Sequence, residues 1–426
     1  MKLSHELKLF VEKHEGADAH SLALQARKFP DIDMNLAIRQ IVGRKIAKEK
    51  IPTWYENSEI IYPAHLSLEQ SSSEATALYK TSLCAGETMI DLTGGMGVDC
   101  SFLAKKFKQA IYVEQQAELC EIAEHNFRAL GLENIKVVNA DAVKYLAEMP
   151  TAVAEHSRCA VAERSRCVDL IYIDPARRDN AGKKTVKIED CRPDVGAENF
   201  LPLLEKAEMI MIKLSPMLDI SLALKSLKNV SDVHIVAVNN EVKELLFISD
   251  ANISAFKLAD THNFNLKSGI LQSEIKYHCV NITKNSIEKF IFTKEQENEI
   301  SAGYTTALQQ YLYEPNAAIM KGGAYKSIAK NYSLKKLHPS SHLYTSDEFH
   351  ADFPGRKFII NDVCSLKNIG TKIFSSLQQA NISVRNFPLS VAGIRKKTGL
   401  KEGGDVYIFA TTLADERKVL IIAQRI

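Results

Sequence analysis

The sequence predicts an α/β protein: a doubly wound, mostly parallel sheet with helices on both faces, preceded by a helical region and followed by a smaller α+β unit. Three observations carry this. From Gly86 to about Asn281, short apolar runs alternate with amphipathic segments. The first of these runs, at Met89–Leu92, opens into a Gly-rich turn (Gly94, Gly95, Gly97) and then a helix-forming stretch, an arrangement that lets backbone approach a ligand closely. Finally, acids stand at the ends of successive runs: Asp91, Glu114 and, just past the third, Asp141.

Residues 1 to about 80 read as helical. Ile38, Ile41, Val42 and Ile46 repeat at helical spacing up to Pro52, with Arg39, Arg44, Lys45, Lys48 and Lys50 on a solvated face. Ser71 and Glu74 have capping-box spacing, which predicts a helix leading into the first strand. Strands are expected at Met89–Leu92, Ala110–Glu114, Ile135–Asn139, Val168–Ile173, Met209–Ile212 and Val233–Val238. Leu119, Ile122 and Leu130 line one face of the second intervening helix, with Gly131 as its C-terminal cap. An eight-residue tandem copy, Ala152–Cys159 followed by Ala160–Cys167, reads as an inserted surface segment. Beyond Asn281 the alternation is lost. Lys357–Asn361, Ile382–Phe387, Asp405–Thr411 and Lys418–Ile422 read as strands, and Thr371–Ala380 and Val391–Lys397 as helices. The expected divisions are 1–80, 81–295, 296–355 and 356–426.

Composition removes several classes. With 54 basic against 52 acidic residues, a net charge of +2, there is no global nucleic-acid signature, so any such surface is a local patch. No apolar run approaches the ~20 residues of a membrane span. The opening MKLSHELKLFVEKHE carries charges inside its apolar pattern, unlike a signal peptide. Eight cysteines form no C-x-x-C pair and are expected as reduced thiols in a cytoplasmic protein. His338 and His342 flank Pro339 with no cysteine nearby, and no metal is expected.

The Gly-rich turn fits two cofactor classes. Gly95 and Gly97 match the first two glycines of the nicotinamide fingerprint G-x-G-x-x-G, but Cys100 stands at the third. The preceding Asp91 instead suits the methionine ammonium of S-adenosyl-L-methionine. Glu114, 23 residues after Asp91, can accept from both ribose hydroxyls, and Asp141 from an adenine amino group, although each taken singly is also a helix cap. The fourth strand runs into Asp174-Pro175-Ala176-Arg177-Arg178. Asp174 is placed to orient or deprotonate a methyl acceptor, and Pro175 locks the turn. Arg177 and Arg178, with Lys183, Lys184 and Lys187, make this loop basic.

DLTGGMGVD, Glu114, Asn139–Asp141 and DPARR together resemble a class I S-adenosylmethionine-dependent methyltransferase. SSEATALYK, KLSPMLD (Lys213–Asp219), NNEVKELL (Asn239–Leu246), YLYEPNAAIMKGGAYK (Tyr311–Lys326), RNFPLSVAGIRKK and GGDVYIFATT narrow the resemblance to the bacterial group with a C-terminal THUMP-like domain. The resemblance implies a Rossmann-like sheet of seven strands, the last antiparallel and placed near Ser273–Ile282. It also implies a ferredoxin-like segment over 296–355 and a THUMP-like domain over 356–426 that holds structured RNA. The implied cofactor residues are Asp91, Thr93, Gly94, Gly95, Gly97, Glu114, Asp141 and Ala142. Asp174, Pro175 and Arg177 fall at the catalytic positions. Arg178, Lys213, Ser215, Arg395, Lys396 and Lys397 face the substrate, tRNA or rRNA.

Two departures matter. Thr93 replaces the first glycine of D-x-G-x-G-x-G, and Ala176-Arg177 replace the second proline and aromatic of the base-methylating [DN]-P-P-aromatic motif. After the fifth strand Lys213-Leu214-Ser215-Pro216 offers no cysteine, which disfavours covalent chemistry there. The acceptor atom, oligomeric state and target base stay open at this point. So do three rival readings: a small-molecule or protein methyltransferase, a nicotinamide oxidoreductase, and a catalytically silent RNA-binding module.

Overall fold

The computed structural model describes residues 3–63, 68, 71–149, 168–176, 191–194, 203, 205–227, 229–250, 274–365 and 377–426. The tandem copy, Arg177, Arg178, Lys183, Lys184, Lys187 and most of the helix expected at Thr371–Ala380 lie outside these residues. The chain divides into two compact units, Met1–Asp232 with Lys243–Leu271, and Val233–Val242 with Gln272–Ile426.

The first unit begins with helices His5–Lys13, Ala19–Leu24 and Met34–Lys50. Each is started by a side chain accepting from a backbone N–H: Ser4 from Leu7, Asp18 from Ser21 and Asp33 from Leu36. In the third helix Met34, Ala37, Gln40, Ile41, Gly43 and Ala47 are buried, whereas Ile38, Val42 and Ile46 are half-buried. The inward face is thus rotated from the predicted one, because small residues allow the next segment close approach. A Cβ at Gly43 would lie 2.4 Å from the Tyr62 Cβ. Pro52 both ends this helix and opens the next, Pro52–Tyr55.

Trp54, Ile60 and Tyr62 pack with Met96, Val98 and Phe102, so the helical region and the Gly-rich turn share one apolar core. The capping box expected at Ser71 does not form. The helix Glu74–Thr81 is capped by Ser73, which accepts from the Thr76 N–H, and Ser71 Oγ donates to the Leu68 carbonyl. Glu74 is drawn away to the start of the Pro52 helix, accepting from the Thr53 N–H at 2.8 Å and its hydroxyl at 2.7 Å.

Strands β1 (Gly86–Asp91), β2 (Phe107–Glu114), β3 (Ile135–Asn139), β4 (Val168–Ile173), β5 (Ala207–Leu214), β6 (Asp232–Val238) and β7 (Glu241–Asp250) follow in chain order. In the first unit they lie in the order β3-β2-β1-β4-β5-β7, with β1 to β5 parallel. The antiparallel strand beside β5 is β7, from Met209↔Asp250 to Leu214↔Leu245, and not the segment near Ser273–Ile282. Asn239 and Asn240 both adopt positive φ, the backbone of a two-residue reversal, so the chain turns back at once after β6. Helix Ala117–Ala129 buries Leu119 and Ile122 and ends at Gly131 with φ +70, as its spacing predicts.

In the second unit β8 (Lys276–Ile282) pairs antiparallel with β9 (Ile287–Thr293). β10 (Tyr311–Pro315), β11 (Lys335–Lys336), β12 (Tyr344–Ser346), β13 (Gly355–Ser365), β14 (Asn381–Arg385), β15 (Val406–Thr412) and β16 (Lys418–Arg425) form a second sheet. Its order is β11-β12-β10-β13-β16-β15-β14, antiparallel except for the parallel pair β14–β15. Helix Val391–Thr398 seals one face by burying Ile394 among Ile408, Ala410 and Leu420.

Trp54 is the sole tryptophan and is fully buried, so its fluorescence reports the packing behind the turn. Gly43→Ala forces the Tyr62 ring aside and is expected to destabilise the protein by about 1–3 kcal/mol. The check is a lower urea midpoint in the Trp54 emission.

Candidate active site

β1 ends at Asp91, whose carboxylate is 1% exposed and accepts from the Thr93 N–H at 3.0 Å. The turn beyond it needs glycine for two reasons, close aromatic rings and left-handed backbone. A Cβ at Gly94 would meet the Tyr112 ring at 2.1 Å, and one at Gly97 the Phe127 ring at 2.8 Å. Gly94 is therefore small because of the protein's own aromatics, and Gly97 both for that reason and because its φ is +85. Gly95, at φ +53, is small because of its backbone, and a Cβ there would meet only the Thr93 carbonyl at 3.7 Å. Only Gly95 fits the sequence expectation of a face opened for a ligand.

Glu114, at the end of β2, reaches back to this turn. Its two oxygens accept from the Gly95 N–H at 2.9 Å and the Gln116 N–H at 2.8 Å. Each retains a lone pair for a further donor. Asp141 follows β3 and does cap its helix, accepting from the Val143 and Lys144 N–H groups through Oδ1. Asp91, Thr93 to Gly97, Glu114, Asp141, Ala142, Asp174, Pro175 and Lys213 all line a single cavity of about 990 Å³. Arg192 and Asp194 line it too, and the sequence offered no pattern that marks them.

Thr93, which replaces the usual glycine, has a role of its own: its hydroxyl accepts from the Asp174 N–H at 2.6 Å and so ties the end of β4 to the turn. The Asp174 carboxylate is half-exposed and pairs through Oδ2 with the Lys213 ammonium at 2.5 Å. Lys213 also reaches Ser72 Oγ at 3.0 Å and Asp99 Oδ2 at 3.4 Å. Those three acceptors use all three ammonium hydrogens, so Lys213 holds Asp174 and has no hydrogen left for a substrate. Ser215 lies outside the cavity lining, its Oγ accepting from the Met217 N–H in the turn after β5. In the second unit Arg395 is likewise committed, donating to the carbonyls of Leu400 and Ala380, whereas Lys396, Lys397 and Lys401 are exposed.

Behind Lys213 lies a buried cluster that the motif spacing did not reveal. Asp99 Oδ2 accepts from the Ser72 and Tyr172 hydroxyls, both at 2.7 Å. Lys80, fully buried, reaches Asp99 Oδ1 at 3.2 Å and both oxygens of Glu244 at 2.7 and 2.8 Å. Burial alone would raise the Asp99 carboxyl, but the Lys80 and Lys213 ammoniums outweigh it and hold the group far below the usual carboxylate range. Burial equally opposes the Lys213 charge, and Asp174, Asp99 and Glu244 overcome it and raise that ammonium well above normal. Among the described residues no cation forms an ion pair with Asp91, although the Lys213 charge opposes its rise from farther off. Burial pushes it up to about 8, the Thr93 N–H partly opposing and the charges of Asp99 and Asp174 adding to the rise.

These features fit a cationic nucleoside cofactor: a buried acid at the turn lacking a close cation, a glutamate with spare acceptors, and an open strip of backbone at Gly95. The fold and site define a class I S-adenosylmethionine-dependent methyltransferase.

Comparison with known proteins agrees. Residues 37–152 match the model of protein-L-isoaspartate(D-aspartate) O-methyltransferase, residues 311–354 that of a ferredoxin-like domain, and residues 355–425 that of a THUMP-like domain. A solved structure from Porphyromonas gingivalis W83, described as a methyltransferase by inference, is 32% identical over 100% of both chains, with a TM-score of 0.82. The chain belongs to that family of methyltransferases with a THUMP-like C-terminus, and its cofactor is S-adenosyl-L-methionine. An rRNA methylase from Streptococcus thermophilus is 13% identical over 41% of this chain and 92% of its own, at a TM-score of 0.27, too distant to bear on function. No curated protein matches. Among the described residues no helix is long and apolar enough to cross a membrane.

The burial of Asp91 has a pH signature. Its folded carboxyl binds a proton up to about 8, whereas the unfolded one, with the ordinary value of 3.8, has already lost it. The unfolded state therefore binds fewer protons between these values, and the group's contribution to stability falls as pH rises through that window. Asp91→Asn removes this slope. Urea midpoints of the ligand-free protein at about pH 5 and about pH 8 should diverge less in the variant than in the wild type.

Proposed function

We propose that the protein methylates structured RNA, tRNA or rRNA. The observation that carries this reading is the THUMP-like match at residues 355–425 in the same chain as a methyltransferase site. The exposed lysines Lys396, Lys397 and Lys401 support it, since a compact set of unshielded ammoniums suits phosphate contact. The divisions 1–80, 81–295, 296–355 and 356–426 and a cytoplasmic location belong to the same proposal.

In this reading Asp91 faces the methionine ammonium, Glu114 the ribose hydroxyls, and the backbone of Thr93, Gly94, Gly95 and Gly97 frames the turn. Ala142 and the second oxygen of Asp141 border the adenine. When bound, S-adenosylmethionine supplies a methyl group on an electrophilic sulfonium. Asp174 presents Oδ1 to an N–H or O–H of the acceptor and orients it, and Pro175 holds the strand end that carries Asp174. Arg177 and Arg178 are proposed to contact RNA phosphates beside this position.

Nucleosides from total RNA of a deletion strain, compared with wild type by mass spectrometry, are expected to lack one methylated species. Complementation with Asp174→Ala is expected to leave that species missing, its transfer rate reduced by about 10²-fold or more. The same variant should bind S-adenosylhomocysteine within about threefold of wild type, as Asp174 acts on the acceptor rather than the cofactor. An unchanged nucleoside profile would count against RNA as the substrate.

A further inference from the structure

We propose that Lys80 and Glu244, which do not line the cavity, are positioning residues for Asp174, acting through Asp99 and Lys213. The proposal rests on the reading of Asp174 as the group that meets the methyl acceptor.

Five charges alternate along one path. Glu244 holds Lys80 through both oxygens, at 2.7 and 2.8 Å. Lys80 meets Asp99 Oδ1 at 3.2 Å, Asp99 Oδ2 meets Lys213 at 3.4 Å, and Lys213 meets Asp174 Oδ2 at 2.5 Å. Ser72 Oγ sits at the centre, 3.3 Å from the Lys80 ammonium, 3.0 Å from that of Lys213, and donating to Asp99 Oδ2 at 2.7 Å. The first four members are buried; Asp99, Lys213 and Asp174 border the cavity, and of these Asp174 alone has a half-exposed side chain.

Three carboxylates and two ammoniums leave one negative charge. The interior members are mutually paired, so the excess is expressed at the open end, on Asp174. Of its two oxygens Oδ2 is fixed by Lys213, and among the described residues Oδ1 has no partner. Thr93 holds the backbone of the same residue; among the described residues Asp91 and Tyr172 also act on it, and Arg192 and Asp194 line the same cavity. The aim of the carboxylate therefore depends on how tightly Lys213 is held, and that depends on how Asp99 divides itself between Lys213 and Lys80.

This division makes two changes act in opposite directions. Removing Lys80 and Glu244 together leaves Asp99 with Lys213 as its one cation, drawing that ammonium away from Asp174. Neutralising Glu244 alone frees Lys80 for Asp99, which releases Lys213 toward Asp174. A purely structural ion pair would not give the first effect, because removing one charge of each sign leaves the net charge near Asp174 unchanged, and replacing both members of a buried pair by apolar residues is often neutral for folding.

The test uses the full-length protein with Lys80→Met/Glu244→Met and, separately, Glu244→Gln. Both are expected to stay folded by thermal melt and to bind S-adenosylhomocysteine within about threefold of wild type. The Asp174 carboxyl is followed by carbon-13 NMR without RNA, its signal assigned with Asp174→Asn. Its titration should move to higher pH by about 0.5 in the double variant and to lower pH in Glu244→Gln. With tritiated S-adenosylmethionine and total RNA from a deletion strain, the double variant should lose about tenfold in kcat at unchanged KM, with its acid limb moved the same way. A folded variant with the wild-type carboxyl titration overturns the positioning role. If the titrations move as stated while the wild type transfers no methyl to RNA, the positioning role stands and the RNA reading fails. Should the double variant not fold, Lys80→Gln/Glu244→Gln, which also removes one charge of each sign, is measured in its place, and an unmoved carboxyl titration in that folded variant overturns the role.

Discussion

The site depends on one ammonium held under three acceptors. Lys213 stands at the end of β5 with Asp174, Ser72 and Asp99 around it, and this arrangement lets a charged group sit in the interior at all. A lone buried ammonium would lose its proton or be expelled. Paired in this way it becomes a fixed point. The fourth strand is tied to it through Asp174, the helix after the Gly-rich turn through Asp99, and the N-terminal region through Ser72. Three segments far apart in the chain are thus brought to the same few ångströms by the need to pair buried charges, in addition to the apolar core that the N-terminal region shares with the turn.

That requirement also explains the company the turn keeps. Tyr172 and Ser72 both donate to Asp99, so the carboxylate has hydrogen bonds as well as cations. Asp91, at the end of β1, has no ion-pair partner among the described residues. The contrast between two buried acids eight positions apart separates their work: Asp99 is spent on internal order, and Asp91 faces the cavity with its demand for a positive partner unmet. A cationic cofactor answers that demand, which is why this pocket suits a sulfonium nucleoside better than an anionic dinucleotide. The same contrast weighs against the nicotinamide alternative, whose pyrophosphate would add negative charge beside Asp91.

The second unit is organised differently. Its sheet closes over apolar cores around Phe358, Phe409 and Ile421 on one side and Ile394, Ile408 and Leu420 on the other. One buried acid, Glu314, is clamped by two arginines, Arg356 and Arg385, from other strands. Arg395, expected to face a substrate, instead ties its helix to the neighbouring loop, so the basic patch rests on Lys396 and Lys397 of that helix and on Lys401 beyond it. This narrows the patch without removing it.

Periodicity and turn chemistry were enough to place β1 to β5, the Gly131 cap and the terminal strands, because those signals are local: apolar alternation, a glycine at positive φ, an acid after a strand. The cavity-lining acids Asp91, Glu114, Asp141 and Asp174 were legible for the same reason, since strand ends in a parallel sheet converge on one edge. The roles of individual residues were not. That Gly94 and Gly97 yield to Tyr112 and Phe127, that Thr93 holds Asp174, and that Ser73 rather than Ser71 caps a helix are decided by which neighbours arrive in space. So is the buried cluster itself: Ser72 and Lys80 come from SSEATALYK, Asp99 from the end of DLTGGMGVD, Lys213 from KLSPMLD and Glu244 from NNEVKELL. Each of those stretches marked the family, yet nothing in their spacing showed that they meet. A pairing of opposite charges across more than a hundred residues has no period along the chain; only the folded sheet, with β7 returning beside β5, brings the partners into contact.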